Sequence, residues 1–143
     1  MAPGWRLFTP ASDLTDSGDD ELTEFNYDER GRLVERIDPD GSRISYTYDA
    51  TSNVASVTTA VLGNPARTTS YSFDMRNRLE TVTDPEGGVT TYGYDEVSRL
   101  GTTMFPNGVR EIREYDEQNR LKELTTLAAD GVTVLDSYEY ELD

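Results

Sequence analysis

An all-β fold is predicted for this 143-residue chain, an antiparallel β-hairpin repeat meander forming a twisted or partly rolled single sheet. Three observations predict it. A Tyr-x-Tyr-Asp phrase recurs at a nearly constant interval, two kinds of turn signal alternate along the chain, and the stretches between turns are rich in Val, Ile, Thr and Tyr without helical periodicity. A period of this length marks a stack built from one supersecondary unit, and here that unit is a pair of strands.

Residues 1–20 carry no copy of the phrase and end in Asp16-Ser17-Gly18-Asp19-Asp20, the composition of a leader or linker. Trp5, Leu7 and Phe8 give this segment an apolar cluster with which to dock on the sheet or cap its edge, the alternative being a disordered tail. Residues 21–143 form the repeat region, with about five complete repeats and a truncated sixth. The phrase reads Phe25-Asn26-Tyr27-Asp28, Tyr46-Thr47-Tyr48-Asp49, Tyr71-Ser72-Phe73-Asp74, Tyr92-Gly93-Tyr94-Asp95, Arg113-Glu114-Tyr115-Asp116 and Tyr138-Glu139-Tyr140-Glu141. Its acidic positions are spaced by 21, 25, 21, 21 and 25 residues.

The first kind of turn opens on the Asp of each phrase, whose carboxylate can take the backbone N–H groups that follow. Of the five such turns, those ending in Gly31, Asn77 and Asn119 close on a residue tolerant of positive φ. The second kind is Asp38-Pro39-Asp40-Gly41, Asp84-Pro85-Glu86-Gly87 and Phe105-Pro106-Asn107-Gly108, with Ala129-Asp130-Gly131 a weaker version and Leu62-Gly63-Asn64-Pro65 a rearranged one. About eleven strands result.

Side chains alternate faces along a strand, so an odd period flips the tyrosines between faces unless the two turns differ in parity. A three-residue loop at the Tyr-Asp turn sets Asp28 opposite Arg32 and Tyr27 opposite Leu33; a four-residue loop at Asp38–Gly41 sets Ile37 opposite Ser42 and Leu33 opposite Tyr46. Leu33, Ile37, Ile44, Tyr46, Tyr48 and Val54 then share one face, while Arg32, Arg36, Arg43, Ser45, Thr47 and Asp49 share the other. The later counterparts are Phe73 with Leu79, Tyr94 with Leu100 and Tyr115 with Leu121. Glu35, Glu123 and Arg113 break the pattern on the aromatic face, and Val82, Val89 and Ile112 break it on the other. Pairs such as Asp28 with Arg32, Asp74 with Arg78, Asp95 with Arg99 and Asp116 with Arg120 form a ladder of charges at the turns.

Composition narrows the function. The formal charge is -15, which disfavours nucleic acid and anionic membrane surfaces as partners. There is no histidine and no cysteine, so a Ser-His-Asp triad, a thiol nucleophile and a Cys/His zinc site cannot be composed. Mean hydropathy is -0.67 with 35% hydrophobic residues, so the structure is expected to be thin or open, with no membrane insertion. No signal peptide is read at Met1-Ala2-Pro3-Gly4-Trp5-Arg6. Carboxylate pairs such as Asp38 with Asp40 or Asp84 with Glu86 sit in turns where acids are favoured for backbone reasons, so neither a catalytic residue nor a metal ligand or cofactor is assigned. The Tyr residues supply the sheet's packing area, although a periodic aromatic strip is also the shape of a glycan platform and acidic turns that of a calcium site.

Residues 25–33 and 38–41 resemble the YD repeats of the Rhs family, in which Tyr-x-Tyr-Asp-x-x-Gly-Arg-Leu alternates with Pro-Asp-Gly, and the resemblance extends over residues 25–140. It implies a long sheet of hairpins winding into a hollow shell, as in polymorphic toxins, insecticidal toxin-complex components and teneurins. It also implies a secreted or cell-surface setting and, in a longer parent, an enclosed toxin domain. The structural repeat positions are then Tyr27, Asp28, Gly31, Leu33, Gly41, Tyr46, Tyr48, Asp49, Tyr71, Phe73, Asp74, Leu79, Gly87, Tyr92, Tyr94, Asp95, Leu100, Gly108, Tyr115, Asp116, Leu121, Gly131, Tyr138 and Tyr140. This chain is too short to close such a shell and has no segment like the family's self-cleaving protease site. The expected role is a structural, non-catalytic segment; the alternative is a cell-surface module binding glycan or calcium. Expected partners are the remainder of a longer repeat protein, or further copies joined by self-association through open sheet edges.

Overall fold

The computed structural model describes residues 7–8 as a backbone strand and residues 22–141 in full. The leader expected over residues 1–20 therefore lies outside the described residues except for Leu7–Phe8. The strands are β1 (Leu7–Phe8), β2 (Glu24–Tyr27), β3 (Leu33–Ile37), β4 (Arg43–Tyr48), β5 (Val54–Ala60), β6 (Arg67–Phe73), β7 (Leu79–Thr83), β8 (Val89–Tyr94), β9 (Leu100–Met104), β10 (Arg110–Tyr115), β11 (Leu121–Leu127) and β12 (Val134–Glu139). All are antiparallel, and the described residues contain no helix.

The chain divides into two units, Met1–Ser70 and Tyr71–Asp143, and β6 contributes to both. In the first unit β1 to β6 pair in sequence order, from Leu7 opposite Phe25 to Ser56 opposite Ser70. In the second unit β7 to β12 do the same. Both units are hairpin meanders, as Val- and Thr-rich strands between Asp and Gly turns require.

The two kinds of turn share one geometry, which corrects the expected difference in parity. At the Tyr-Asp turn the N–H of Asp28 donates to the Arg32 carbonyl at 2.9 Å and that of Gly31 to the Asp28 carbonyl at 3.0 Å. At the Pro turn the N–H of Asp38 donates to the Ser42 carbonyl at 2.9 Å and that of Gly41 to the Asp38 carbonyl at 2.8 Å. Both are three-residue loops closing on a residue of positive φ. The loop around Ala129-Asp130-Gly131 has four residues, since the N–H of Ala128 donates to the Thr133 carbonyl.

Parity is restored by β-bulges instead. Tyr27 faces Leu33 as expected, but Asn26 faces Glu35, so Val34 is an extra residue in β3. The same step leaves Ala55 extra in β5, Gly101 in β9 and Lys122 in β11. Each bulge lies one residue past the aliphatic partner of the tyrosine and turns the rest of that strand over.

The expected faces change accordingly. Ile37 lies opposite Arg43 rather than Ser42, and Glu35 opposite Ser45. Ile37 thus leaves the aromatic face, and Arg36 joins it, between Phe25 and Ile44. Glu35 and Glu123 move to the polar face and Val82 to the aromatic one, so three of the six expected exceptions disappear. Arg113 stays on the aromatic face beside Glu111, while Val89 and Ile112 stay on the other.

No described apolar side chain is fully buried, and Thr103, 4% exposed, is the one buried polar residue among those described. Stability therefore rests on half-buried side chains, the backbone ladder and the turns, where local bonds acquire unusual weight.

Candidate functional site

The chemistry-bearing side chains gather at the Tyr-Asp turns. Each Asp there uses Oδ1 to accept two backbone N–H groups of its own loop. Asp74 takes those of Arg76 at 2.8 Å and Arg78 at 3.0 Å, and Asp28, Asp49, Asp95 and Asp116 repeat the pattern. Oδ2 is left for a side chain. It accepts the Nε–H of Arg32 at 2.7 Å, of Arg78 at 2.8 Å, of Arg99 at 2.6 Å and of Arg120 at 2.7 Å. At Asp49 the amide of Asn53 replaces the guanidinium, donating at 3.0 Å.

These bonds hold the carboxyls below the usual aspartate range. At Asp28 the main cause is the backbone N–H of Arg32, and at Asp74 the side chain of Arg78. At Asp49, Asp95 and Asp116 partial desolvation pushes upward and is outweighed by the sum of the bonds. In the four-residue loop the hydroxyl and N–H of Thr133, with the N–H of Val132, bring Asp130 down to about 2.

The arginines reach further. The guanidinium of Arg32 lies 4.3 Å from the ring centre of Tyr48, that of Arg78 4.4 Å from Tyr94, and that of Arg99 4.7 Å from Tyr115. Each of these tyrosines donates its hydroxyl to the carbonyl of the residue after that arginine: Tyr48 to Leu33 at 2.7 Å, Tyr94 to Leu79 at 2.9 Å and Tyr115 to Leu100 at 2.9 Å. Asp, Arg and Tyr thus form a brace from one turn to the end of the second strand after it. It accompanies the three 21-residue steps. In the 25-residue step from Asp49 to Asp74, the arginine position holds Asn53 and the second tyrosine position holds Phe73.

A third contact joins successive turns. Arg32 Nη1 donates to Ser52 Oγ at 3.2 Å and Arg99 Nη1 to Asn119 Oδ1 at 2.8 Å. The corresponding Arg78 Nη1 is buried without a partner. On the aromatic face Arg113 donates to Thr103 Oγ1 at 2.9 Å and pairs with Glu111, which is how two charges are accommodated beside half-buried tyrosines.

A cavity of about 460 Å³ opens along Asp28, Glu29, Arg30, Arg32, Tyr48, Asp49 and Ala50. Its Asp carboxylates are engaged by their own loops, and one face of Tyr48 is covered by Arg32. Among the described residues no group of three or more acidic side chains is arranged to hold a metal ion, and no helix is long and apolar enough to cross a membrane.

The expected pairs Asp28 with Arg32, Tyr27 with Leu33, Tyr94 with Leu100 and Tyr115 with Leu121 are brought together. Sequence reasoning missed the stacking of each arginine on a tyrosine sixteen residues later. The signal was available in the joint loss of Arg and Tyr at Asn53 and Phe73.

The repeats that carry this brace resemble known proteins in sequence pattern and fold. Residues 27–61 and 73–108 match the family model described as RHS Repeat. The chain belongs to the Rhs-repeat family. The fold of this Rhs-repeat chain is similar to the crystal structure of TcdB2-TccC3, with a TM-score of 0.64 and 17% identity over 86% of this chain and 7% of that one. It is equally similar to TcdB2-TccC3 without its hypervariable C-terminal region, with a TM-score of 0.63 and 16% identity over 85% of this chain and 7% of that one. The Rhs-repeat chain thus spans a small fraction of the structures it resembles. No curated protein sequence matches it.

Proposed function

We propose that the chain is a non-catalytic wall segment of a longer Rhs-type protein, secreted or surface-associated and toxin-like, whose repeats surround a toxic C-terminal region. The observation that supports it best is the brace. Its carboxylates, guanidinium groups and phenol hydroxyls bond within their own and the adjoining repeat, as a scaffold uses such groups, where a catalytic or calcium site would turn them toward a substrate or ion. The short span relative to TcdB2-TccC3 supports membership in a longer chain.

Calorimetry with calcium and a glycan array on the purified protein test this reading. A scaffold segment binds neither specifically. Saturable calcium binding lost on Asp28→Asn or Asp49→Asn, or selective retention of one glycan class, would favour the surface-module alternative.

A further inference from the structure

The chain has six asparagines, and one of them is followed by glycine. Asn107-Gly108 lies in the turn that joins β9 to β10, with Asn107 exposed. Asn26, Asn53, Asn77 and Asn119 precede Tyr, Val or Arg, whose side chains crowd the next backbone nitrogen, and Asn64 precedes Pro65, which has no N–H. Gly108 presents its nitrogen with no side chain beside it. Asn26 and Asn53 also commit their amide nitrogens, to Glu35 Oε2 at 3.2 Å and to Asp49 Oδ2 at 3.0 Å. Asn107 is held from the other end of its amide. Its Oδ1 accepts the N–H of Val109 at 3.1 Å, which curls the side chain back over the Gly108 peptide.

We propose that Asn107 is a self-modification site, hydrolysed to aspartate or isoaspartate by its own chain and water. Hydroxide removes the proton of the Gly108 N–H, the nitrogen adds to Asn107 Cγ, and the Cγ–Nδ2 bond breaks with Nδ2 leaving as ammonia. During the addition negative charge develops on Oδ1, where the N–H of Val109 already donates. Water then opens the five-membered imide. Cleavage of its Cγ–N bond leaves aspartate in the ordinary chain; cleavage at the backbone carbonyl of residue 107 leaves isoaspartate, with the chain routed through Cγ. One water enters and one ammonia leaves. The bond from the Gly108 N–H to the Phe105 carbonyl, 2.9 Å long, has to open first, a local event at a surface turn.

The two products act differently on the turn. Asp40, at the matching position of residues 38–41, accepts the N–H of Ser42 at 2.8 Å, the same bond that Asn107 takes from Val109. Aspartate therefore fits. Isoaspartate lengthens the main chain by a methylene inside a three-residue loop, so the bond from the Phe105 N–H to the Val109 carbonyl and the pairing of Met104 with Arg110 are lost.

Incubation of the full, folded chain in mildly alkaline buffer, followed by tryptic digestion and mass spectrometry, tests the site. Residues 100–110 form one tryptic peptide, and Asn107 is its sole asparagine. That peptide is expected to gain the mass of amide-to-acid conversion, faster than any peptide carrying the other five asparagines and in proportion to hydroxide concentration. It should split into two products, of which the isoaspartyl one is labelled by isoaspartyl methyltransferase. The intact chain should shift on anion exchange by one negative charge, and Asn107→Gln should abolish that shift. Amide exchange should stay slow over β9 and β10 in Asn107→Asp and rise there in the isoaspartyl fraction. Conversion at Asn107 no faster than at the other asparagines would overturn the proposal. So would conversion seen only in urea, since the closed turn would then protect the residue.

Discussion

The hydroxyl of Tyr94 donates to the carbonyl of Leu79 at 2.9 Å while its ring lies under the guanidinium of Arg78. One side chain thus satisfies a carbonyl at the start of β7 and covers the arginine that neutralises Asp74. The same arrangement at Tyr48 and Tyr115 gives the repeat a local source of stability where buried apolar side chains are lacking.

Removing the hydroxyl alone isolates one part of this arrangement. Tyr48→Phe, Tyr94→Phe and Tyr115→Phe should each lower unfolding free energy by about 1 kcal/mol, the net value of one hydrogen bond. Urea denaturation checks it; three unchanged midpoints would mean that the carbonyls find equivalent partners in water.

Arg78 supplies a gain-of-stability prediction. Its Nη1 is buried without an acceptor, and Ser98, with φ of 74° at Ser52 and 71° here, occupies the position that Asn119 fills for Arg99. Ser98→Asn replaces a short hydroxyl with a longer-reaching amide oxygen and with a residue that tolerates positive φ better, and should stabilise the chain by about 0.5–1.5 kcal/mol. Thermal unfolding of the variant beside Ser98→Ala, which has neither advantage, provides the check.

The turn glycines should rank by what a Cβ would meet. Gly87 has φ of +88° and open space, so Gly87→Ala should cost about 1–2 kcal/mol from backbone strain alone. In Gly41→Ala the new atom would sit 2.9 Å from the end of the exposed Leu62 side chain, which can swing away. In Gly108→Ala it would sit 2.8 Å from the Cβ of Ala129, which can yield only with its backbone. Gly108→Ala should therefore be the most damaging of the three in chemical denaturation, and equal losses at Gly87 and Gly108 would refute the crowding.

Acid should loosen the turns. The carboxyls of Asp28, Asp40, Asp49, Asp74, Asp95 and Asp116 lie below the usual aspartate value of 3.8, and that of Asp130 is about 2. A group lowered in the folded state contributes stability that is fully present above its unfolded value and is lost as pH falls through the folded one. The midpoint of thermal unfolding should therefore drop between about pH 4 and pH 2. Asp130→Asn should flatten the lower end of that fall, and a profile level down to pH 2 would show that these bonds do not favour the folded state.

The meander was legible in the sequence because its signals are local. Asp at the start of a turn, Gly31 or Gly41 at its end and Val or Thr between turns act within four residues of themselves. The bulges were not legible, since Val34, Ala55, Gly101 and Lys122 share no chemical character and an inserted residue is visible only against its partner strand. Ile37 and Arg36 exchanged faces for that reason. Ser52 and Ser98 escaped notice as positive-φ residues because serine is not typical there. The stacking of Arg32 on Tyr48 joins positions that become neighbours only after the bulge has turned the strand.

A double-mutant cycle on Arg78→Ala and Tyr94→Leu, read by urea denaturation, measures the brace most directly. Coupling of about 0.5–1 kcal/mol is predicted, the value of a guanidinium on an aromatic face near the surface. Losses that simply add would contradict a stabilising contact between the arginine of one turn and the tyrosine that ends the second strand after it.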